Sequence, residues 1–328
     1  MRSNRRCLLR GLGLAAIGAA SVATKSSFSQ GVTAGGKPRG IAMTVGLNRL
    51  DPDHYPGAPP LRGCINDSLA IFELSRLQKF ACYKPLLNEK ATAASVIEGI
   101  RNAARELKAC DLFLIQYSGH GGQIPDRNGD EEDGLDETWC LYDRMLIDDE
   151  LGRLWTEFAD GVRILMISDS CHSGSVARGR GFIEAVKASG AVARGTDDRQ
   201  AILNDLKDEA ASFRYLPEDV LQKTYQKHKN IYDKIADDLG ESARDDEGIR
   251  ASVLLLSGCQ DNQLSADLSK NGLFTARLLE TWNNGHFKGN YRSFHSHIVS
   301  RMPATQTPNF YPIGVPDLKF WQQKPFTI

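Results

Sequence analysis

Apolar positions in this chain fall into short continuous runs, separated by longer stretches with helical spacing. Gly40–Leu47 (GIAMTVGL) predicts a first strand, and a polar, proline-rich loop follows over residues 51–60. Asn66–Leu77 carries the apolar spacing of a helix, Phe80–Leu87 reads as a second strand, and Ala91–Leu107 as an alanine-rich helix. Asp111–Tyr117 (DLFLIQY), Val162–Ser168 (VRILMIS) and Ala251–Leu256 (ASVLLL) are three further apolar runs, and Leu273–Trp282 is an amphipathic helix. Strands that are apolar throughout are buried on both faces, and helices between them imply parallel crossovers. The fold class is therefore α/β. Two runs stop at polar, Gly-rich turns: Ser118-Gly119-His120-Gly121-Gly122 and Asp169-Ser170-Cys171-His172-Ser173-Gly174. Ligands of such sheets bind beyond the carboxyl ends of the strands, which is where these turns lie.

Two stretches break the pattern. Residues 1–24 hold Arg2, Arg5, Arg6 and Arg10 and no acid, and Gly11–Thr24 is uncharged. Fourteen uncharged residues are too few for a membrane-spanning helix, which needs about 20. A basic start, a short apolar run and small residues at Ser21 and Ala23 predict an export signal over 1–23, cleaved after Ala23. Arg5-Arg6 gives it a twin-arginine character, with an ordinary secretory signal as the alternative. Residues 24–39 then serve as a linker, and the expected location is periplasmic or secreted, without a lipid anchor. The second break is 176–249, basic and Gly/Ala-rich at first and charged and helical later. It reads as an insertion between a 40–175 part and a 250–328 part.

Composition adds a limit. The 328 residues hold 40 Lys+Arg against 41 Asp+Glu, with 41% hydrophobic residues. That balance excludes a disordered chain and gives no electrostatic footprint for nucleic acid. Loss of the four signal arginines makes the remainder mildly acidic. Cys64, Cys82, Cys110, Cys140, Cys171 and Cys259 show no CxxC spacing, so a zinc ribbon is not expected. Export would permit disulfides, but no pairing is assignable from the sequence.

His120 and Cys171 are the candidate chemistry. A thiol needs a neighbouring base to supply thiolate at neutral pH, and two adjacent parallel strands ending in a His and a Cys provide one. Glycine N–H groups beside His120 are suited to stabilising an oxyanion. The bland alternative is a buried structural cysteine and an unrelated loop histidine.

Tyr117–Gly122 (YSGHGG) and Asp169–Ser175 (DSCHSGS) resemble the His and Cys motifs of caspase-like cysteine peptidases of the metacaspase branch. Leu61–Asp67 (LRGCIND) and Ser257–Gln263 (SGCQDNQ) extend the likeness over roughly residues 40–328. The resemblance implies a caspase-haemoglobinase fold, a three-layer α/β/α sandwich with a mostly parallel six-stranded sheet. It implies an endopeptidase acting after Arg or Lys, with Cys171 as nucleophile and His120 as base and acid. The N–H groups of Gly121 and Cys171 would form the oxyanion hole, and Asp67, Asp169, Cys64 and Ser118 the pocket for the basic side chain. Carboxylates are the natural partners of a guanidinium, although Asp67 also has a position suited to a helix N-cap. Two alternatives are a caspase-fold binding module without catalysis and a peptidase of different specificity.

The run Asp126–Glu137 (DRNGDEEDGLDE) is dense in acid but has Glu131 where an EF-hand needs glycine, which excludes that motif. By resemblance, calcium would instead be held by Asp136, Asp148 and Asp149. Arg178 stands at a position where the family supplies a further acid, so calcium dependence is an open expectation and no cofactor is required. A solvated acidic loop is the alternative. Self-cleavage is expected in the basic linker that holds Arg178, Arg180, Lys187 and Arg194, and the protein is expected to be a monomer acting on peptide substrates.

Overall fold

The computed structural model describes residues 37–127, 129, 131, 133–171, 204, 213–239, 248–260 and 263–328. The predicted signal, His172 and the linker residues Arg178, Arg180, Lys187 and Arg194 lie outside them.

The apolar runs become a central sheet. Its strands are β1 (Gly40–Gly46), β2 (Ala81–Cys82), β3 (Leu86–Leu87), β4 (Leu112–Ser118), β8 (Arg163–Asp169), β9 (Ser252–Ser257) and β10 (Asn309–Gly314). The spatial order is β10-β9-β8-β4-β1-β2, and β3 also pairs with β1. β2 and β3 share one edge position, with Pro85, which has no N–H to give the ladder, between them. The predicted second strand is thus two short pieces, and the six predicted positions hold seven strands. All pairings are parallel except β9 with β10.

Alternation along each strand feeds two separate cores. Ile41, Met43, Val45, Phe113, Ile115, Ile164 and Val253 face one side, where α2 (Ala93–Glu106), α3 (Asp148–Trp155) and α4 (Glu218–Leu239) pack. Ala42, Leu112, Leu114, Leu165, Ile167 and Leu254 face the other, against α1 (Cys64–Leu77), α5 (Leu273–Trp282) and α6 (Tyr291–Val299). This is the three-layer sandwich, with a short α7 (Leu318–Gln322) near the end of the chain. In α2, Ala93, Val96, Ile100 and Ala103 form the buried stripe of an amphipathic helix, and Thr92 caps it by accepting the Ser95 N–H. α1 starts two residues earlier than predicted, at Cys64. A side chain at Gly46 would meet the Cys64 carbonyl at 2.6 Å, so glycine lets the start of α1 sit against the end of β1.

The sequence pattern did not predict a second sheet, the antiparallel β5 (Gly121–Pro125), β6 (Leu135–Cys140) and β7 (Met145–Ile147). Nor is the 176–249 stretch wholly peripheral. Leu216 and the α4 residues Val220, Leu221, Tyr225 and Tyr232 join one core, and Phe213 joins the other. Among the described residues, no helix is long and apolar enough to cross a membrane. Cys64, Cys82, Cys110, Cys140, Cys171 and Cys259 are free thiols.

Candidate active site

Strand register builds the site. Gly46 pairs with Ser118, and Ser118 pairs with Asp169, so three parallel strands end level with one another. His120 and Cys171 each lie two residues past their paired strand ends, which places the two turns side by side on the carboxyl edge of the sheet. Tyr117 anchors the His120 turn, its hydroxyl donating to the carbonyls of His120 (2.6 Å) and Cys140 (2.9 Å) while its ring stacks on Trp139.

Both candidate residues are buried. His120 Nε2 faces the carbonyl of Pro59 at 2.8 Å and Nδ1 faces the carbonyl of Tyr215 at 3.0 Å. Burial lowers the pKa of His120, so the ring is a neutral base near neutral pH. With its proton on Nε2, toward Pro59, Nδ1 carries the lone pair. If Nδ1 gains a proton, the Tyr215 carbonyl is already placed to accept it. Cys171 Sγ accepts the Ser265 N–H at 3.1 Å.

An unforeseen residue, Arg214, occupies the place between them. Its carbonyl oxygen accepts the N–H of Gly121 at 2.9 Å and of Cys171 at 3.2 Å, the two donors named for an oxyanion hole. Its own N–H donates to the Ser265 carbonyl at 3.0 Å, and Leu216 N–H donates to Gly121 at 2.8 Å. Phe213 pairs antiparallel with Ala266, and Tyr215 pairs with Gly121. Phe213–Leu216 therefore lies extended across the site as an added strand.

The Arg214 guanidinium has 0% exposure and is held by three carboxylates. Nη2 donates to Asp67 Oδ2 at 2.6 Å and to Asp267 Oδ1 at 2.9 Å; Nε reaches Asp267 Oδ1 at 3.2 Å. Nη1 lies 3.0 Å from Asp169 Oδ2 and donates to the Asp169 carbonyl, also at 3.0 Å. Asp67 sits in the first turn of α1 without capping it; Asn271 Nδ2 (2.8 Å) and Gly272 N–H (3.1 Å) also donate to its carboxylate. Asp169 is fixed by Ser265 Oγ at 2.7 Å and Thr275 Oγ1 at 2.6 Å. Asp267 is fixed by the N–H groups of Arg62 (2.6 Å) and Gly63 (3.1 Å). Three acids around one cation leave excess negative charge in a dry place. Burial raises the pKa of Asp67, Arg214 opposes the rise, and Asp169 adds to it.

Cys64 is buried beside this charge cluster, and burial pushes its thiol up despite the nearby Arg214. Ser118 is buried at the end of β4, but its hydroxyl accepts from Gln116 Nε2 at 2.7 Å. The sequence reading missed Asp267, Pro59 and Ser265, and it looked for basic linker residues upstream of Arg214. Asp267 follows β9 in a loop without a recognisable spacing, and only the carboxyl-edge rule points to that loop. Pro59 acts through a backbone carbonyl, which leaves no side-chain signature, and Ser265 acts through its backbone N–H and a serine hydroxyl that no motif distinguishes.

The acidic loop gives a different grouping from the expected calcium set. Oxygen atoms of Glu131, Glu137 and Asp148 lie within 4.8 Å of one another. Of Asp136, Asp148 and Asp149, only Asp148 is in this group; Asp136 and Asp149 are buried, Asp136 beside Glu137 on β6, where neighbours alternate in direction, and Asp149 in the first turn of α3. Oxygens bound to one calcium ion at about 2.4 Å lie no more than about 4.8 Å apart, a limit these three carboxylates meet.

The caspase domain family profile matches residues 39–317. This chain belongs to that family. Among its relatives, Metacaspase-1 of Schizosaccharomyces pombe is 30% identical over 257 residues, covering 72% of this chain and 57% of the yeast protein. Metacaspase-1 of Kluyveromyces lactis is 28% identical over 268 residues, covering 72% and 56%. The chain thus spans little more than half the length of these relatives. A crystal structure of a Geobacter sulfurreducens protein matches with a TM-score of 0.73 and 44% identity, covering 89% of this chain and 99% of that one. The caspase-domain assignment agrees with the sheet order and with the paired His and Cys turns.

Proposed function

We propose that this caspase-domain protein is a cysteine endopeptidase that cleaves peptide bonds after Arg, and less efficiently after Lys, through an acyl-enzyme on Cys171. One observation carries the reading: an arginine lies with its guanidinium among Asp67, Asp169 and Asp267 and its carbonyl between the N–H groups of Gly121 and Cys171. That is the pose a substrate residue needs for attack at its carbonyl carbon.

In this mechanism His120 takes the Cys171 proton at Nδ1, and the Pro59 carbonyl holds the ring by Nε2. The thiolate adds to the carbonyl carbon, and the resulting oxyanion is held by Gly121 and Cys171 N–H groups that are already aimed at it. His120 then gives its proton to the departing amine, and water hydrolyses the thioester with His120 again as base. The preference for Arg follows from donor geometry, since Nε, Nη1 and Nη2 each find an acceptor. A lysine ammonium is one point charge and cannot span all three acids.

Glu131, Glu137 and Asp148 would hold a calcium ion, whose charge would draw the acidic loop and the first turn of α3 together. Protein and peptide substrates are the expected partners, and the chain is expected to act as a monomer. Export through the residue 1–23 signal completes the reading. The experiment is turnover of fluorogenic Arg-P1 peptides by the full chain and by Cys171→Ala, with iodoacetamide labelling of the thiol. Cys171→Ala should abolish turnover, and wild-type turnover in that variant would reject the assignment.

A further inference from the structure

We infer that Gln306, in the turn before β10, is a positioning residue for the peptidase reaction: its buried amide holds Ser265 and Ala266 so that Ser265 meets the Cys171 sulfur, the Asp169 carboxylate and the substrate backbone together. The inference rests on the reading of Cys171 as nucleophile and Asp169 as a pocket acid.

Ser265 has one contact in each part of the site. Its N–H donates to Cys171 Sγ at 3.1 Å, and its hydroxyl donates to Asp169 Oδ1 at 2.7 Å. Its carbonyl accepts, at 3.0 Å, the N–H of Arg214, the residue that fills the pocket. Yet Ser265 belongs to no strand or helix. It lies in the loop between β9 and α5, where Ala266 joins Phe213 by an isolated bridge. Loops move more than the elements they connect, and a misplacement of about 1 Å beside the reacting atoms costs about a hundredfold in rate. A loop residue with three such contacts therefore needs a hold of its own.

Gln306 supplies it. The side chain is fully buried, and its amide makes three hydrogen bonds. Oε1 accepts the Ala266 N–H at 3.2 Å, while Nε2 donates to the Gly258 carbonyl at 3.0 Å and to Ser265 Oγ at 3.1 Å. The direction of the amide is forced, since a backbone N–H can only donate and a carbonyl can only accept. Gly258 directly follows β9, and its N–H donates to the Ser168 carbonyl of β8 at 2.8 Å. Through Gly258 the loop is thus tied to the central sheet. The bond to Ser265 Oγ also orients that hydroxyl. A serine has one hydroxyl hydrogen, and with Nε2 donating to the oxygen, that hydrogen is left for Asp169.

The turn itself is braced. Gln306 N–H donates to the Pro303 carbonyl at 2.9 Å. Gln263, at the start of the same loop, donates Nε2 to the Ala304 carbonyl at 3.3 Å and accepts the Thr307 N–H. An apolar side chain would fill the place of Gln306 without the cost of burying an amide, so its polarity serves the groups it binds. Gln306 touches neither the sulfur nor the substrate. It acts through Ser265, keeping the attacking atom, the pocket acid and the substrate N–H in one frame.

The test is Gln306→Glu in the full chain, which keeps the shape and makes the donor depend on pH. An ionised carboxylate there has no hydrogen for Gly258 or Ser265, and it draws the Ser265 hydroxyl away from Asp169. A protonated carboxyl gives one donor back. Burial opposes ionisation, as do Asp169 beyond Ser265 and Asp67 and Asp267 farther on, while Arg214 among them favours it; buried glutamates titrate as high as about 8–9. The readout is kcat/KM on an Arg-P1 reporter peptide at pH 6 and pH 9, divided by the wild-type value at the same pH, at a temperature where melts show both chains folded. The division removes the titration of His120. The variant should lie within about threefold of wild type at pH 6 and about 30-fold below it at pH 9. A purely structural glutamine would give the same ratio at both pH values, and that result would overturn the inference while leaving the peptidase reading intact. Should the variant unfold at pH 9, Gln263→Leu decides, since it loosens the same brace without a buried charge. A fall of about fivefold in kcat/KM with an unchanged Tm supports the inference, and wild-type turnover overturns it. An inert wild-type chain, or full turnover by Cys171→Ala, would remove the peptidase reading and this inference together.

Discussion

Asp267→Asn tests the pocket through the acid that no motif announced. Asp267 Oδ1 accepts from the Arg214 Nε at 3.2 Å and from Nη2 at 2.9 Å, while its carboxylate also takes the N–H groups of Arg62 and Gly63. An asparagine keeps the size and one acceptor oxygen, but its amide must turn a donor either toward those backbone N–H groups or toward the guanidinium. A hydrogen bond to a buried charge is worth about 1.5–3 kcal/mol, and two are at stake. Part of that loss is offset, because removing one of three crowded acids relieves the repulsion that contributes to the raised pKa of Asp67. A net loss of about 2 kcal/mol corresponds to a fall of roughly 30-fold in kcat/KM for Arg substrates. A lysine ammonium makes no contact equivalent to Nε, so its kcat/KM should fall only about threefold, and the Arg-to-Lys ratio should drop about tenfold. The assay is kcat/KM for matched Arg-P1 and Lys-P1 peptides, with a thermal melt to check folding. An unchanged ratio in a folded variant would refute the three-acid pocket.

Gly272→Ala should remove activity toward Arg substrates, because the new methyl would sit 2.5 Å from Asp169 Oδ2 and 2.6 Å from the Arg214 Cζ, and a thermal melt checks that the variant still folds. Steady-state kinetics read this, and normal turnover would contradict the placement of the pocket wall. Acid should silence the enzyme: burial lowers the His120 pKa, so the neutral base persists through neutral pH and is lost as pH falls through that lowered value. A rate that rises on acidification would argue against His120 as base. Stability should fall over the same range. His54 is pushed from 6.5 down to about 4 by burial and by the stacked His228, so below 6.5 the unfolded chain binds the proton more readily. Complete protonation would cost about 3 kcal/mol, and partial solvation of the ring reduces this to about 1–2 kcal/mol. Melts from pH 7 to pH 4 check it: the fall in Tm should be smaller in His54→Gln than in the wild-type chain, and an equal fall in both would refute it. Calcium should raise Tm, and Glu137→Gln with Asp148→Asn should abolish the increase; an equal increase in the variant would place the ion elsewhere.

Much of this architecture was legible because burial on both faces writes itself as unbroken apolar runs, as in Leu112–Ser118 and Arg163–Asp169. The helix near Leu273–Trp282 was legible because its apolar stripe gives way to the polar run that begins at Asn283, where the structure ends the helix. The β5–β7 sheet was not, since Gly121–Pro125 and Leu135–Cys140 mix glycine, proline and acid with few apolar positions. Asp67 and Asp169 could be named because they lie within or beside the recognised motifs. Asp267 depends on a loop more than ninety residues beyond Cys171 in the chain folding back over the same sheet edge, a tertiary fact with no local spacing. Arg214 is the plainest case: among forty basic residues, only the pairing of Phe213–Leu216 with Gly121 and Ala266 distinguishes it.

The central claim is that Cys171 cuts after the basic side chain that Asp67, Asp169 and Asp267 hold. A library of peptides varied only at P1, assayed with the wild-type chain and with Cys171→Ala, tests it most directly. The account predicts cleavage after Arg first and Lys second, none after Asp or Leu, and none at all without Cys171. Cleavage after acidic or apolar residues, or turnover that survives Cys171→Ala, would contradict it.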